Sequence, residues 1–179
     1  TTTASVTEAG STATFTVVLD TQPLSDVVFT VVSADTGEAT VSPATLTFAT
    51  GNWNAAQTVT VTGVDDNIID GTISSTVTIA VDDANSDNDF DPVANQTVTA
   101  TTTDNDVAGF TVAETGGSTS VAETGTTDTF TVVLNAQPAS NVVLTITSSD
   151  TGEATVNTPL TFTNANWNAT QTVTVAGVD

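Results

Sequence analysis

The sequence predicts an all-β protein built as tandem seven-stranded antiparallel β-sandwiches of the immunoglobulin-like kind. Apolar residues alternate with polar ones over short stretches, Thr and Val dominate the composition, and the second part of the chain restates the first. No stretch shows an apolar period of 3.6, so helices are not expected.

Internal repetition sets the organisation. Val6-Thr7-Glu8-Ala9-Gly10 returns as Val121-Ala122-Glu123-Thr124-Gly125, and Phe15-Thr16-Val17-Val18-Leu19 as Phe130-Thr131-Val132-Val133-Leu134. Asp35-Thr36-Gly37-Glu38-Ala39-Thr40-Val41 returns as Asp150-Thr151-Gly152-Glu153-Ala154-Thr155-Val156, and Asn52-Trp53-Asn54 as Asn166-Trp167-Asn168. A spacing of this size, Phe15 to Phe130, marks a whole domain rather than a turn of a solenoid. The expected repeats are residues 1–106, lacking a first strand, and residues 107–179, ending before the last two strands. The chain therefore reads as a piece of a longer array.

Strands are expected near residues 11–19, 27–32, 45–48, 57–64, 73–81 and 96–102, with 108–113 opening the second repeat. Phe15, Val17 and Leu19 would share one face of the first, and Val77, Ile79 and Val81 one face of the fifth. Turn chemistry separates them: Thr21-Gln22-Pro23, Asp35-Thr36-Gly37, Ser42-Pro43, Asp70-Gly71 and Asp91-Pro92. The first repeat has no counterpart of Phe110-Thr111-Val112. A sandwich short of strands exposes apolar faces and open edges, which a neighbouring repeat or subunit would have to cover.

Charge narrows function. The chain has no Lys, Arg or His against 21 Asp and Glu, so no side-chain ion pair can form. Adjacent carboxylates repel by about 1 kcal/mol at 4 Å in water, and more where water is excluded. Only water, backbone N–H groups or external cations can offset that charge. Nucleic acid is excluded as a partner, because phosphate binding needs Lys or Arg, and no apolar run is long enough for direct membrane insertion. Without His, Cys, Lys, Arg or Tyr, acid–base and nucleophilic catalysis lack their usual groups, and the protein is not expected to be an enzyme. Absent cysteines leave core packing, neighbours or metal to stabilise the fold.

The order of motifs resembles the Calx-beta domain family. Its sequence pattern is matched by Val6-Thr7-Glu8-Ala9-Gly10, Phe15-Thr16-Val17, Asp35-Thr36-Gly37, Thr45-Leu46-Thr47-Phe48, Asp65-Asp66-Asn67-Ile68-Ile69-Asp70-Gly71 and Asp104-Asn105-Asp106. The resemblance implies a sandwich binding calcium at one end. Carried over by position, it implies Glu8, Asp35, Asp65, Asp66, Asp70, Asp104 and Asp106 as ligands, with Glu123, Asp150 and Asp179 in the second repeat. One departure is Asp70, where the family usually carries the longer Glu.

Elementary chemistry points the same way. Ca²⁺ takes about six to eight oxygens, and alternating strand direction brings the loops after residues 32, 64 and 102 to the same end as Glu8. The competing reading is a set of solvated turn residues, since Asp and Asn favour turns for backbone reasons. A second acidic stretch, with Asp83, Asp87, Asp89 and Asp91, falls at the opposite end and is compatible with its own ion, an interdomain site or a solvated loop. Trp53 and Trp167 have two readings, a cap on the core or a platform for a sugar ring. The expected role is a calcium-rigidified spacer in an extracellular fibre or cell-surface adhesin, its partners being neighbouring repeats or subunits. A surface module for glycans or proteins and a strand-exchanging filament subunit are the alternatives.

Overall fold

A computed structural model describes residues 2–179. Strands dominate it, and among the described residues no helix is long and apolar enough to cross a membrane. The chain divides into two units. The first runs to Asp66 and resumes from Asp70 to Asn105; the second comprises Asn67–Ile69 and Asp106–Asp179.

The first unit is a sandwich of two sheets. One contains β1 (Thr2–Thr7), β3 (Val27–Ser33), β5 (Thr45–Phe48), β7 (Ile73–Val81) and β8 (Gln96–Thr103), in the order β1-β8-β7-β3-β5. The other contains β2 (Thr12–Val17), β4 (Ala39–Ser42) and β6 (Gln57–Gly63), in the order β2-β6-β4. Alternation works as expected: in β3, Val27, Phe29 and Val31 are buried, and in β6, Val59 and Val61 are buried. These side chains meet Ala4, Val6, Phe15, Leu46, Phe48, Val77, Ile79, Val98 and Ala100 in one core drawn from both sheets. Phe29 meets Phe48 edge to face, with ring centroids 6.0 Å apart at 82°. That geometry is worth about 0.5–1.5 kcal/mol beyond the area buried.

Two strands of this unit were not expected from sequence. β4 carries a single large apolar residue, Val41, and ends at Ser42 before Pro43, so turn signals hide it. β1 has only the small Ala4 and Val6 as its apolar pair, yet both are buried because β1 lies alongside β8. The β1–β8 pair is parallel, the one such ladder among the described strands; every other ladder is antiparallel.

Register fixes which loops meet. β3 and β7 pair through Ser33 and Val77, β7 and β8 through Ile73 and Thr102, and β1 and β8 through Thr7 and Thr103. In the other sheet β6 pairs its last residue, Gly63, with Ala39 of β4, and Thr62 with Thr12 of β2. The chain segments after Thr7, Ser33, Gly63 and Thr103 therefore gather at one end of the sandwich. Gly63 makes this possible. A Cβ there would lie 2.1 Å from the carbonyl oxygen of Thr7, so the turn leading to Glu8 crosses β6 only because that position has no side chain.

The second unit holds β9 (Phe110–Glu114), β10 (Thr127–Leu134), β12 (Ala154–Val156) and β14 (Gln171–Gly177) in one sheet, in the order β12-β14-β10-β9. β11 (Val142–Leu144) and β13 (Leu160–Phe162) form the other. Its core centres on Val132, Leu134, Leu160, Phe162 and Val173. Local geometry repeats that of the first unit: a Cβ on Gly177 would sit 2.1 Å from the carbonyl oxygen of Ala122. Trp53 and Trp167 both pack against the core of their unit, and their carbonyls accept the N–H of Leu19 and Leu134 at 3.3 and 3.2 Å.

Candidate metal centre

At the gathered end of the first unit, carboxylate oxygens of Glu8, Glu38 and Asp70 lie within 4.8 Å of one another. Each is placed by a different element. Glu8 follows β1 and is anchored by its own N–H, which donates to the Thr103 carbonyl at 3.2 Å. Glu38 immediately precedes β4, and its carbonyl accepts the Val64 N–H at 2.9 Å and the Thr102 hydroxyl at 3.2 Å. Asp70 comes from the long connection between β6 and β7.

Two of these acids are deeply buried. Glu8 is 1% exposed and Glu38 is 8% exposed, whereas Asp70 is exposed. Oε2 of Glu8 accepts the backbone N–H of Asn105 at 3.1 Å. Oε2 of Glu38 is enclosed and has no hydrogen-bond partner. Burial pushes the Glu8 carboxyl above its ordinary value; the Asn105 N–H opposes that, and the charges of Asp104, Asp66 and Asp70 add to the rise. Burial likewise raises Glu38, with Asp70, Asp35, Glu8 and Asp66 adding to it. Like charges about 4 Å apart repel by about 4 kcal/mol at an effective dielectric of about 20. A site of this kind takes up protons or a cation. Its donors are all hard oxygens, the set that suits Ca²⁺ or Mg²⁺ and not softer transition metals.

The remaining expected ligands of this unit surround the cluster at different depths. Asp104 is half-buried, and its Oδ2 accepts the Gly71 N–H at 2.8 Å, tying the segment after β8 to the connection after β6. The Asn105 amide donates to Asp65 Oδ1 at 3.1 Å across an exposed surface. Asp66 is half-buried and raises both glutamates through its charge. Asp35 is exposed, and its Oδ1 accepts the Gly37 N–H at 3.0 Å, closing its own turn. Asp106 is half-buried and belongs to the second unit.

Glu38 was missed in the sequence. The motif Asp35-Thr36-Gly37-Glu38 holds two acids, and the resemblance pointed to the first. Strand alternation carries no signal for it, because Glu38 has the parity of the exposed Thr40 while Ala39 and Val41 face the core.

In the second unit Glu123, Asp150, Glu153 and Asp179 are all exposed. Asp150 Oδ1 accepts the Gly152 N–H at 3.0 Å, the same turn closure as at Asp35. Among the described residues, no three acids of this unit alone come within ligand distance of one another.

At the opposite end of the first unit, Asp87 is buried and its charge is fully engaged. Oδ2 accepts the N–H of Leu24 at 2.6 Å and of Ser25 at 3.1 Å, while Oδ1 accepts that of Asp89 at 3.1 Å. These bonds hold the Asp87 carboxyl below its ordinary value. They account for this carboxylate without an ion. Asp83 and Asp89 are exposed and Asp91 is half-buried.

No family model matches this sequence, and a search among curated proteins finds no match. Solved structures similar to it include calcium binding domain CBD12 of CALX1.1, at 16% identity and a TM-score of 0.43, covering 99% of this chain and 74% of that one. The E. coli chaperone DraB aligns at 9% identity and a TM-score of 0.42, over 99% of this chain and 84% of that one. SSP-19, an MSP-domain protein like family member in Caenorhabditis elegans, aligns at 18% identity and a TM-score of 0.38, over 57% of this chain and 92% of that one. The likeness is one of fold alone.

Proposed function

We propose that this chain is a structural spacer segment of an extracellular fibre or adhesin-type surface protein, and that its first sandwich takes a calcium ion among Glu8, Glu38 and Asp70. The observation that carries the reading is Glu38, whose enclosed Oε2 has no hydrogen-bond partner and whose carboxylate lies within 4.8 Å of those of Glu8 and Asp70, in a chain with no cationic side chain. When bound, the ion would supply the positive charge that the site lacks, with the carboxylate oxygens of Glu8, Glu38 and Asp70 as its ligands.

The chain's own residues do the rest. Glu8 joins the chain leaving β1 to Asn105, Glu38 is held by Val64 and Thr102, and Asp104 fastens the Gly71 turn. Neutralising the cluster removes the repulsion that strains these joints and holds the segment after β8 against the body of its unit. A spacer with a fixed exit segment transmits direction along an array; one with a loose exit does not. Sites built from exposed and buried acids of this kind in extracellular modules work at about 10⁻⁴–10⁻³ M calcium, a level found outside cells.

Thermal unfolding of the intact chain with excess calcium and with chelator tests the reading. Binding to the folded state alone adds about 2.7 kcal/mol at an ion concentration about 100 times the dissociation constant. Equal midpoints in the two conditions would overturn it. Magnesium in place of calcium should give the smaller shift, because it demands stricter octahedral geometry.

A further inference from the structure

We propose, taking the calcium site above as given, that Ser75 is the resting partner of Glu38: without an ion the Glu38 side chain turns onto the Ser75 hydroxyl, and calcium draws it back to Glu8 and Asp70. Ser75 belongs to no acidic motif, yet it shares two properties with Glu38. Each residue is 8% exposed, and Ser75 Oγ and Glu38 Oε2 are both enclosed with no hydrogen-bond partner.

The fold puts these two oxygens in one neighbourhood. Ser75 lies on the inward face of β7, on the same side as the buried Val77, and pairs with Ala100 of β8. Thr102, the next inward residue of β8, stands diagonally beside it. That threonine is 1% exposed, and its hydroxyl donates to the Glu38 carbonyl at 3.2 Å. On the other flank, the N–H of Ala34 donates to the carbonyl of Thr76, the residue after Ser75, at 2.8 Å. The segment from Ala34 to Glu38 is therefore pinned at both ends to residues that adjoin Ser75. Its turn is also closed from within, because the Asp35 carbonyl accepts the Ser33 hydroxyl at 3.0 Å and the Ala39 N–H at 3.1 Å. With the backbone held in this way, the Glu38 side chain is the part that can move.

Chemistry suits the pair. A serine hydroxyl both donates and accepts, so it serves a carboxylate or a protonated carboxyl alike. A glutamate side chain moves between staggered rotamers, and an enclosed carboxyl oxygen gains a bond by taking the one that reaches a hydroxyl. Among the described buried polar groups at this end, Glu8 is engaged by the Asn105 N–H, Ser33 by the Asp35 carbonyl and Thr102 by the Glu38 carbonyl. The Ser75 hydroxyl is uncommitted. Turning away also takes Glu38 from Glu8 and Asp70, whose charges repel it. An ion reverses that balance by attracting all three carboxylates, so binding has to break the Ser75 bond. Ser75 thereby holds calcium affinity down and keeps the site ordered between binding events.

Ser75→Ala in the intact chain removes the hydroxyl alone, and the sign of its effect decides. In excess chelator the variant should unfold at lower denaturant than the parent, whereas deleting a buried hydroxyl that has no partner leaves stability unchanged or raises it. Calcium titration by calorimetry should show binding tighter than the parent's by about tenfold, the equivalent of one hydrogen bond to a charged group. A merely structural serine would weaken stability and affinity together. Stability in chelator that is unchanged or raised, or an affinity equal to or weaker than the parent's, overturns the proposal. The unmodified chain gives a direct reading by NMR: nuclear Overhauser contacts between side-chain protons of Glu38 and Ser75 should appear in excess chelator and disappear in excess calcium. Their absence in chelator overturns the pairing even if the variant fails to fold. A parent that binds no calcium overturns the calcium site itself, and with it the switch, while the Glu38–Ser75 contacts in chelator show which half failed.

Discussion

The backbone N–H of Asn105 donates to Oε2 of Glu8 at 3.1 Å, joining residues 97 positions apart. One end of that link follows the first strand of the unit and the other follows its last, so the bond closes the unit on itself. The acceptor is also a member of the acidic cluster. Fold closure and charge repulsion thus meet on a single carboxylate.

Glu38→Gln separates the two. It keeps the size of the side chain and removes one buried charge beside Glu8 and Asp70. In chelator the variant should melt at the same temperature as the parent or higher, because repulsion is relieved. In calcium it should melt lower, with affinity weakened by about tenfold or more, which is about 1.4 kcal/mol. Titration calorimetry and thermal unfolding check the two arms, and a variant with parental calcium affinity would remove Glu38 from the site.

Gly63→Ala tests how Glu8 reaches its place. The new Cβ would meet the Thr7 carbonyl oxygen at 2.1 Å and its carbon at 2.8 Å, both backbone atoms that cannot swing aside. Overpacking of this sort costs about 1–3 kcal/mol. Denaturant unfolding should show that loss, together with a weaker response to calcium, since Thr7 carries Glu8. Gly51→Ala is the control, because nothing lies within 4 Å of a Cβ there.

Phe48 tests the core. It is fully buried and meets Phe29 edge to face. Phe48→Ala should cost about 3–5 kcal/mol, the usual range for truncating a buried aromatic. Val143→Ala, at an apolar position of the second unit that is 57% exposed, should stay within about 0.5 kcal/mol of the parent. Comparable losses at the two positions would contradict the burial described.

Much of this was legible in the sequence, for reasons that differ by residue. Period-two alternation in Val27-Val28-Phe29-Thr30-Val31 gives a strand directly, and β3 spans Val27–Ser33. β1 was hidden because its burial comes from β8, some ninety positions away, and not from its own weak pattern of Ala4 and Val6. The gathering of acid-bearing segments at one end follows from strand direction, which sequence supplies. Which acid of a turn points inward does not, because Asp35 and Glu38 are three residues apart and only backbone geometry decides between them. At Asp35 that geometry favours the Gly37 N–H, and the longer Glu38 turns to the cluster. At Asp87 the sequence leaves an ion, an interdomain site and a solvated loop open, because it does not show that the backbone N–H groups of Leu24, Ser25 and Asp89 reach this carboxylate.

Asp87 gives the chain a pH dependence of opposite sign to that of the cluster. Its carboxyl titrates below the ordinary value because three N–H groups favour the charged form. A carboxylate depressed in the folded state contributes stability that is present above its unfolded value, near 3.8, and is lost as pH falls through the folded value. Glu8 and Glu38 are raised above an ordinary value of 4.5, so their contribution is present below 4.5 and is lost as pH rises through the folded values. Asp87→Asn isolates the first effect. At neutral pH the variant should unfold at lower denaturant than the parent, because an amide carries no charge and one of its two acceptors becomes a donor facing donors. As pH falls from about 3.8 through the lower folded value, the parent's own carboxyl is neutralised and the gap between the two should narrow. Comparing variant with parent at each pH cancels the titration of every other acid. A gap that stays constant down to pH values well below that window would show that Asp87 acts through its shape and not through its charge.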